Sequence, residues 1–100
     1  MAKPPYSLVH APEVRHQIES LAVKSTAKGL KRQFLKRLRA MIIRLERNPA
    51  KVGEPFYRTS LPGGIVHKVV RPPFVLYFAL YEAKRFVLVF RIEPFPLSFE

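Results

Sequence analysis

The spacing of apolar residues changes its period once along the chain, and this change limits the folds that the sequence can adopt. Residues 11–48 carry apolar side chains three and four positions apart, which is typical of helices that bury one face. Residues 65–92 instead read as extended strands rich in β-branched and aromatic residues. Helices followed by a run of strands indicate an α+β domain, in which the helices cover one face of a sheet.

Two helices are expected in the first half of the chain. Pro12 and Glu13 suit the start of the first, because proline needs no donor there and a carboxylate faces the positive end of the helix dipole. Polar residues 24–29 predict the connection to the second helix. The second helix ends at Asn48-Pro49 and carries an apolar stripe formed by Leu30, Phe34, Leu35, Leu38, Met41, Ile42 and Leu45.

Four strands are expected, at residues 6–10, 65–70, 74–80 and 86–92. Residues 50–62 contain Gly53, Pro55 and Pro62 without a clear period, and they predict a loop anchored by Leu61. The predicted fold is β-α-α-β-β-β, with a two-helix hairpin packed on one face of a mostly antiparallel four-stranded sheet. Residues 1–100 form one domain, with residues 1–5 and 96–100 as candidate flexible ends.

The amino-acid composition limits the kinds of chemical site and of partner that we expect for this chain. The chain has no cysteine and no aspartate, and its three histidines are scattered, so we expect neither disulfides nor a metal site. No cofactor is expected either, because phosphate-binding and dinucleotide-binding motifs are absent. Without a membrane-spanning stretch or a signal peptide, a cytoplasmic protein is expected. The 18 Lys and Arg residues against seven Glu give a net charge of +11, which favours nucleic acid, an acidic protein or an anionic membrane surface as partner.

Several short segments, in this order, resemble the RelE/ParE toxin superfamily of bacterial type II toxin–antitoxin systems. Residues 6–18 are similar to the family's opening strand and first helix. Residues 38–53 with Pro55 are similar to its helix end, Asn-Pro stop and Gly-x-Pro loop. Leu61 with Gly63 and Gly64 resembles the Leu-x-Gly motif before its second strand, and residues 74–78 and 86–92 resemble its last two strands.

The resemblance implies a toxin that an acidic antitoxin holds inactive. RelE-like members cut mRNA in the ribosomal A site, whereas ParE-like members inhibit DNA gyrase without a nuclease site. Nuclease members carry basic residues on the second strand, to which His67 and Lys68 correspond. Phe74 and Phe95 stand where those members have basic residues on the last two strands, so Arg71 and Arg91 fill these roles only if the backbone is locally shifted.

RNA cleavage by a 2′-hydroxyl needs a base, cations that hold the phosphate, and an acid for the leaving oxygen. The predicted catalytic residues are His67 as base, with Arg71 and Arg91 clamping the phosphate. The other interpretation of His67 is a buried side chain bonded to a backbone carbonyl. Strand alternation places His67 and Lys68 on opposite faces of the sheet, so only one of them points to its open side.

Further basic residues are candidates for binding nucleic acid, namely Lys68, Arg58, Arg37 and Arg44. The alternative for the basic helix is a solvated surface, and Tyr77 and Tyr81 either stack on bases or belong to the core. Three functions stay open. They are a ribosome-dependent mRNA endoribonuclease, a DNA gyrase inhibitor, and a non-toxic nucleic-acid-binding or interaction module with the same fold.

Overall fold

Two helices lie side by side on a sheet in the computed structural model, which describes residues 5–58 and 63–99. The helices are α1 (Pro12–Ala27) and α2 (Lys31–Arg47). Short 3₁₀ turns follow at Pro49–Lys51 and Pro96–Ser98. The strands are β1 (Ser7–His10), β2 (Glu54–Arg58), β3 (Gly64–Arg71), β4 (Phe74–Tyr81) and β5 (Phe86–Pro94).

The strands form one sheet in the order β1-β5-β4-β3-β2. The first strand, β1, pairs in parallel with the last one, β5, and every other pairing is antiparallel. The predicted α+β class, the helix hairpin and the four predicted strands are therefore confirmed.

The sheet has five strands where the sequence predicted four. The additional strand β2 lies in the predicted loop and pairs with β3 at the edge of the sheet. Pro55 is compatible with an edge strand, because only one side of such a strand forms ladder hydrogen bonds. The register shifts between Pro55 and Tyr57, which leaves Phe56 as a bulge and removes the alternation that would have revealed the strand. Leu61 lies outside the described residues.

The turn between the helices is shorter than predicted, because Lys24–Ala27 remain helical. Gly29 has a φ of +72°, a conformation that glycine adopts without strain. The amide of Leu30 donates to the carbonyl of Ser25 at 2.6 Å, and the amide of Gly29 donates to that of Thr26 at 3.1 Å. These two bonds form a Schellman motif, which ends α1 and lets α2 turn back along it.

The main core lies between the helices and one side of the sheet, which we call the helix face. The predicted stripe on α2 supplies Phe34, Leu38, Met41 and Leu45, all of them buried. The rings of Phe34 and Phe74 meet edge to face with centroids 6.0 Å apart. Truncating a buried phenylalanine such as these to alanine typically costs about 3–5 kcal/mol, so this contact fixes α2 on the sheet.

The carboxyl-terminal segment packs onto the domain. The amide of Phe95 donates to the carbonyl of Pro73 at 2.9 Å, and Phe99 contacts the main core beyond the last 3₁₀ turn. Of the candidate flexible ends, residues 1–4 and Glu100 lie outside the described residues. Neither helix in the described part of the chain is long and apolar enough to cross a membrane.

Candidate nucleic-acid interface

The side of the sheet opposite the helices, which we call the open face, has no secondary-structure layer over it in the described residues. Its floor is a second apolar cluster, in which partly buried side chains pack against three buried ones. Val66, Ala79 and Tyr81 are buried there under Phe86, Leu88 and Phe90. The rings of Tyr81 and Phe86 stack at 4.4 Å.

One row of side chains runs across this face from strand to strand. Lys68 on β3 pairs with Tyr77 on β4, and Tyr77 pairs with Arg91 on β5. Lys68 Nζ lies 5.8 Å and Arg91 Cζ 5.7 Å from the centroid of the Tyr77 ring, within the range of cation–π contacts. The tyrosine ring is thus flanked by a cation on each neighbouring strand.

Bulges place further groups beside this row. The extra residue Phe90 on β5 brings its ring to 6.3 Å from that of Tyr77. On β2, the bulge residue Phe56 lies 6.4 Å from the Tyr77 ring and 5.7 Å from Lys68 Nζ. We call the resulting group the cation–aromatic cluster, formed by Phe56, Lys68, Tyr77, Phe90, Arg91 and Glu93.

Glu93 is the carboxylate of this cluster, and it is already engaged. Arg91 Nη2 lies 3.0 Å from Glu93 Oε2, and the Tyr77 hydroxyl donates to Glu93 Oε1 at 3.1 Å. Both contacts hold the arginine and the tyrosine in place. Because Lys68 forms no ion pair among the described residues, the cluster keeps a positive balance.

The predicted catalytic residues do not meet in one site. His67 lies on the helix face, is only 4% exposed, and stacks on Phe78 with ring centroids 4.9 Å apart. Its Nδ1–H donates to the carbonyl of Val52 at 3.2 Å, which is the alternative considered for this residue. Arg71 also belongs to the helix face, beside α2, whereas Arg91 is on the open face.

The candidate nucleic-acid-binding residues are divided between two surfaces as well. Lys68 lies on the open face, on the opposite side of β3 from His67, as predicted. Arg37 and Arg44 line a groove beside α2 that also includes Arg71. The backbone of Arg58 pairs with Ile65 at the sheet edge, and its side chain is outside what the structure describes.

Sequence reasoning missed Phe56, Phe90 and Glu93 as members of the interface. Alternation within β4 could have placed Tyr77 beside Lys68, because paired strands share a face across the sheet. A bulge has no sequence signature that spacing alone reveals, so the positions of Phe56 and Phe90 required the structure. Phe74, for which the sequence resemblance implied a position held by a basic residue in nuclease members, is fully buried in the main core.

The arrangement is suited to a single-stranded nucleic acid. Aromatic rings offer surfaces on which bases stack, and the two cations offer contacts for the phosphates between those bases. No three His, Cys, Asp or Glu side chains in the described part of the chain come together as metal ligands would.

Comparison with known proteins relates the fold to two solved structures. One is a chain of the archaeal RelE–RelB complex from Pyrococcus horikoshii OT3, with a TM-score of 0.62 and 15% identity, covering 90% of this chain and 94% of that one. The other belongs to the chromosomal ParDE toxin–antitoxin system from P. aeruginosa, with a TM-score of 0.58 and 15% identity, covering 90% of this chain and 96% of that one. No protein-family model and no curated protein matches the sequence. At this identity the likeness shows that the chain has the RelE/ParE toxin fold.

Proposed function

We propose that this protein is the toxin of a toxin–antitoxin pair and that it inhibits translation by binding and cutting messenger RNA at its open face. The fold it shares with chains of RelE–RelB and ParDE structures supports the class. The net charge of +11 supports neutralisation by an acidic antitoxin. The row formed by Lys68, Tyr77 and Arg91 across three strands is the observation that supports messenger RNA as the target.

The proposed cleavage chemistry depends on the phosphate and the bases that the row of Lys68, Tyr77 and Arg91 can bind. In RNA cleavage the 2′-hydroxyl gives its proton to water as its oxygen bonds to phosphorus, and the bond from phosphorus to the 5′-oxygen breaks as that oxygen takes a proton from water. Negative charge accumulates on the phosphate oxygens during this step. Lys68 and Arg91 stabilise that charge, and Tyr77 with Phe56 or Phe90 holds the adjacent bases by stacking. In this proposal Lys68 and Arg91 replace the set His67, Arg71 and Arg91, because His67 and Arg71 lie on the other face of the sheet.

The test is inhibition of cell-free translation by the purified protein and by the double variant Lys68→Gln, Arg91→Gln. We expect the variant to be weaker by roughly 100-fold or more, since removal of one group that stabilises developing charge typically costs that much. The control is Lys51→Gln, Lys84→Gln, which removes the same charge from two exposed positions away from the cluster. Equal inhibition by the cluster variant and the wild type would refute the assignment.

A second function has one observation in its favour. No histidine lies on the open face among the described residues, and Glu93 is held by Arg91 and Tyr77. A face whose described residues include no histidine to act as general base fits a non-enzymatic inhibitor of DNA gyrase. Loss of gyrase supercoiling activity with unchanged translation would identify this function, and unchanged activity in both assays would indicate a non-toxic binding module.

A further inference from the structure

We propose a second polyanion site on the side of the molecule away from the open face, where a groove beside α2 binds the sugar-phosphate backbone of double-helical RNA. The groove has a volume of about 590 Å³ and is bordered by five cations from α2 and the end of β3. We call it the basic groove, and its lining residues are Gly29, Arg32, Gln33, Lys36, Arg37, Ala40, Met41, Arg44 and Arg71.

The charge of the basic groove is uncompensated. None of its lining residues is acidic. None of its arginines or lysines takes part in the ion pairs of the described residues, which join Arg15 and His16 to Glu19 and Arg91 to Glu93. Like charges this close raise the energy of the free protein, and a polyanion that releases its counterions on binding relieves the repulsion.

The spacing of the cations suits a nucleic-acid strand. Arg32, Lys36 and Arg44 lie four and eight residues apart on α2, so they follow one side of the helix over about 18 Å. That distance spans several consecutive phosphates of one strand. Across the groove, Arg37 Nη1 donates to the carbonyl of Pro72, which ties α2 to the β3–β4 turn and holds Arg71 opposite the helix.

The groove surface favours a phosphate backbone over an acidic peptide. An amphipathic peptide needs apolar pockets for its anchoring side chains. Of the two apolar side chains in this groove, Met41 is only 1% exposed and Ala40 is a single methyl group, so neither offers such a pocket. Gly29 and Ala40 are small residues that do not obstruct the groove, so a sugar-phosphate strand can approach the cations closely.

The choice of RNA rests on the proposed function, because a protein that acts on translating ribosomes meets folded RNA around its target. The evidence for the site itself is the charge and the shape of the basic groove. A single strand on the open face and a double helix in the basic groove would be held on opposite sides of the sheet. The two contacts are therefore separable by mutation.

The test measures binding of the purified protein to a short RNA duplex, with the matching DNA duplex and poly-glutamate as competitors. The groove variant is Arg32→Gln, Lys36→Gln, Arg44→Gln. The matched control is Lys24→Gln, Lys51→Gln, Lys84→Gln, which removes the same charge from exposed positions outside the groove. Circular dichroism and thermal melting establish that both variants are folded.

We expect the groove variant to lose roughly tenfold or more in affinity, and the slope of log affinity against log salt to fall by about two to three. The control should lose much less. Equal losses in the two variants would overturn the proposal, as would a loss confined to the Lys68→Gln, Arg91→Gln variant. If the DNA duplex competes as well as the RNA duplex, the assignment to RNA is overturned. If poly-glutamate competes as well as the RNA duplex, the assignment to a phosphate backbone is overturned.

These outcomes are distinct from those that test the proposed function. Binding of the duplex is measured on the purified protein, whether or not it inhibits translation. A protein that fails the translation assay and still binds duplex RNA through the groove retains this site and loses the proposed toxin activity.

Discussion

At the scale of single residues, Tyr6 shows how a buried side chain fixes the start of the sheet. Its hydroxyl donates to the Glu82 carboxylate, and Arg85 Cζ lies 5.2 Å from the centre of its ring. Its amide donates to the carbonyl of Glu46 at the end of α2. The hydrogen bond to Glu82, burial and the charge of that carboxylate raise the pKa of Tyr6 above its usual value of 10.0.

Replacement of this tyrosine should have an effect that depends on pH. Because the folded protein binds the neutral phenol, the stabilisation is complete below pH 10 and is lost as the pH rises through the raised pKa of Tyr6. We expect Tyr6→Phe to lower the free energy of unfolding by about 1 kcal/mol at pH 7. The gap to the wild type should shrink above pH 10 in urea denaturation. A gap that widens with pH would contradict this account.

Residue-level reasoning from the sequence was accurate where it rested on period alone. Alternation suffices to put His67 and Lys68 on opposite faces of β3. It does not say which face the helices cover, because that depends on contacts distant in sequence. The carbonyl of Val52 that accepts a hydrogen bond from His67 belongs to a segment fifteen residues earlier, and no local sequence pattern predicts this contact.

At the scale of elements, Gly53 determines whether β2 can dock on β3. Its φ is +65°, and a Cβ at this position would overlap with the backbone carbonyl of Lys68. The strand that carries Phe56 follows directly after it. Gly29 has a similar φ of +72° but no atom within 4 Å of where a Cβ would lie, so the two glycines form a matched pair.

We expect Gly53→Ala to destabilise the protein more than Gly29→Ala. Both substitutions carry the strain of a left-handed backbone, about 1 kcal/mol, and only the first adds a steric overlap with a backbone that cannot move freely. The difference should appear as a lower urea midpoint for Gly53→Ala. Equal midpoints would mean that β2 shifts to accept a methyl group at no cost.

The same elements show how far the sequence could predict the interface. Both helices followed from apolar period and a proline stop, and four strands followed from their β-branched, aromatic and apolar content between turn residues. The edge strand and the bulge on β5 lack such a pattern, since an unpaired extra residue resets the alternation. Two of the aromatic side chains in the cation–aromatic cluster, those of Phe56 and Phe90, depend on these interruptions.

At the scale of the whole molecule, the high net charge destabilises the folded state. The chain carries 18 Lys and Arg against seven Glu, and this excess of like charges repels itself most strongly in the compact state. Added salt screens this repulsion over a shorter distance. The protein should therefore be more stable in salt.

We expect the Tm to rise by several degrees between about 0.02 and 0.5 M NaCl, because roughly 1 kcal/mol corresponds to 4–8 °C in a domain of this size. The Arg32→Gln, Lys36→Gln, Arg44→Gln variant should show a smaller rise, since part of the repulsion is already removed. Calorimetry at a series of salt concentrations measures both. A Tm that does not change with salt would show that the repulsion is already relieved in the folded protein.

The pairing of β1 with β5 has a consequence for how the protein is made. Ser7–His10 is translated well before its partner residues, 86–89. Such a distant contact is slow to form, because a long loop must close before the pairing contributes to stability. Each newly synthesised molecule therefore passes through an interval in which its first strand is unpaired.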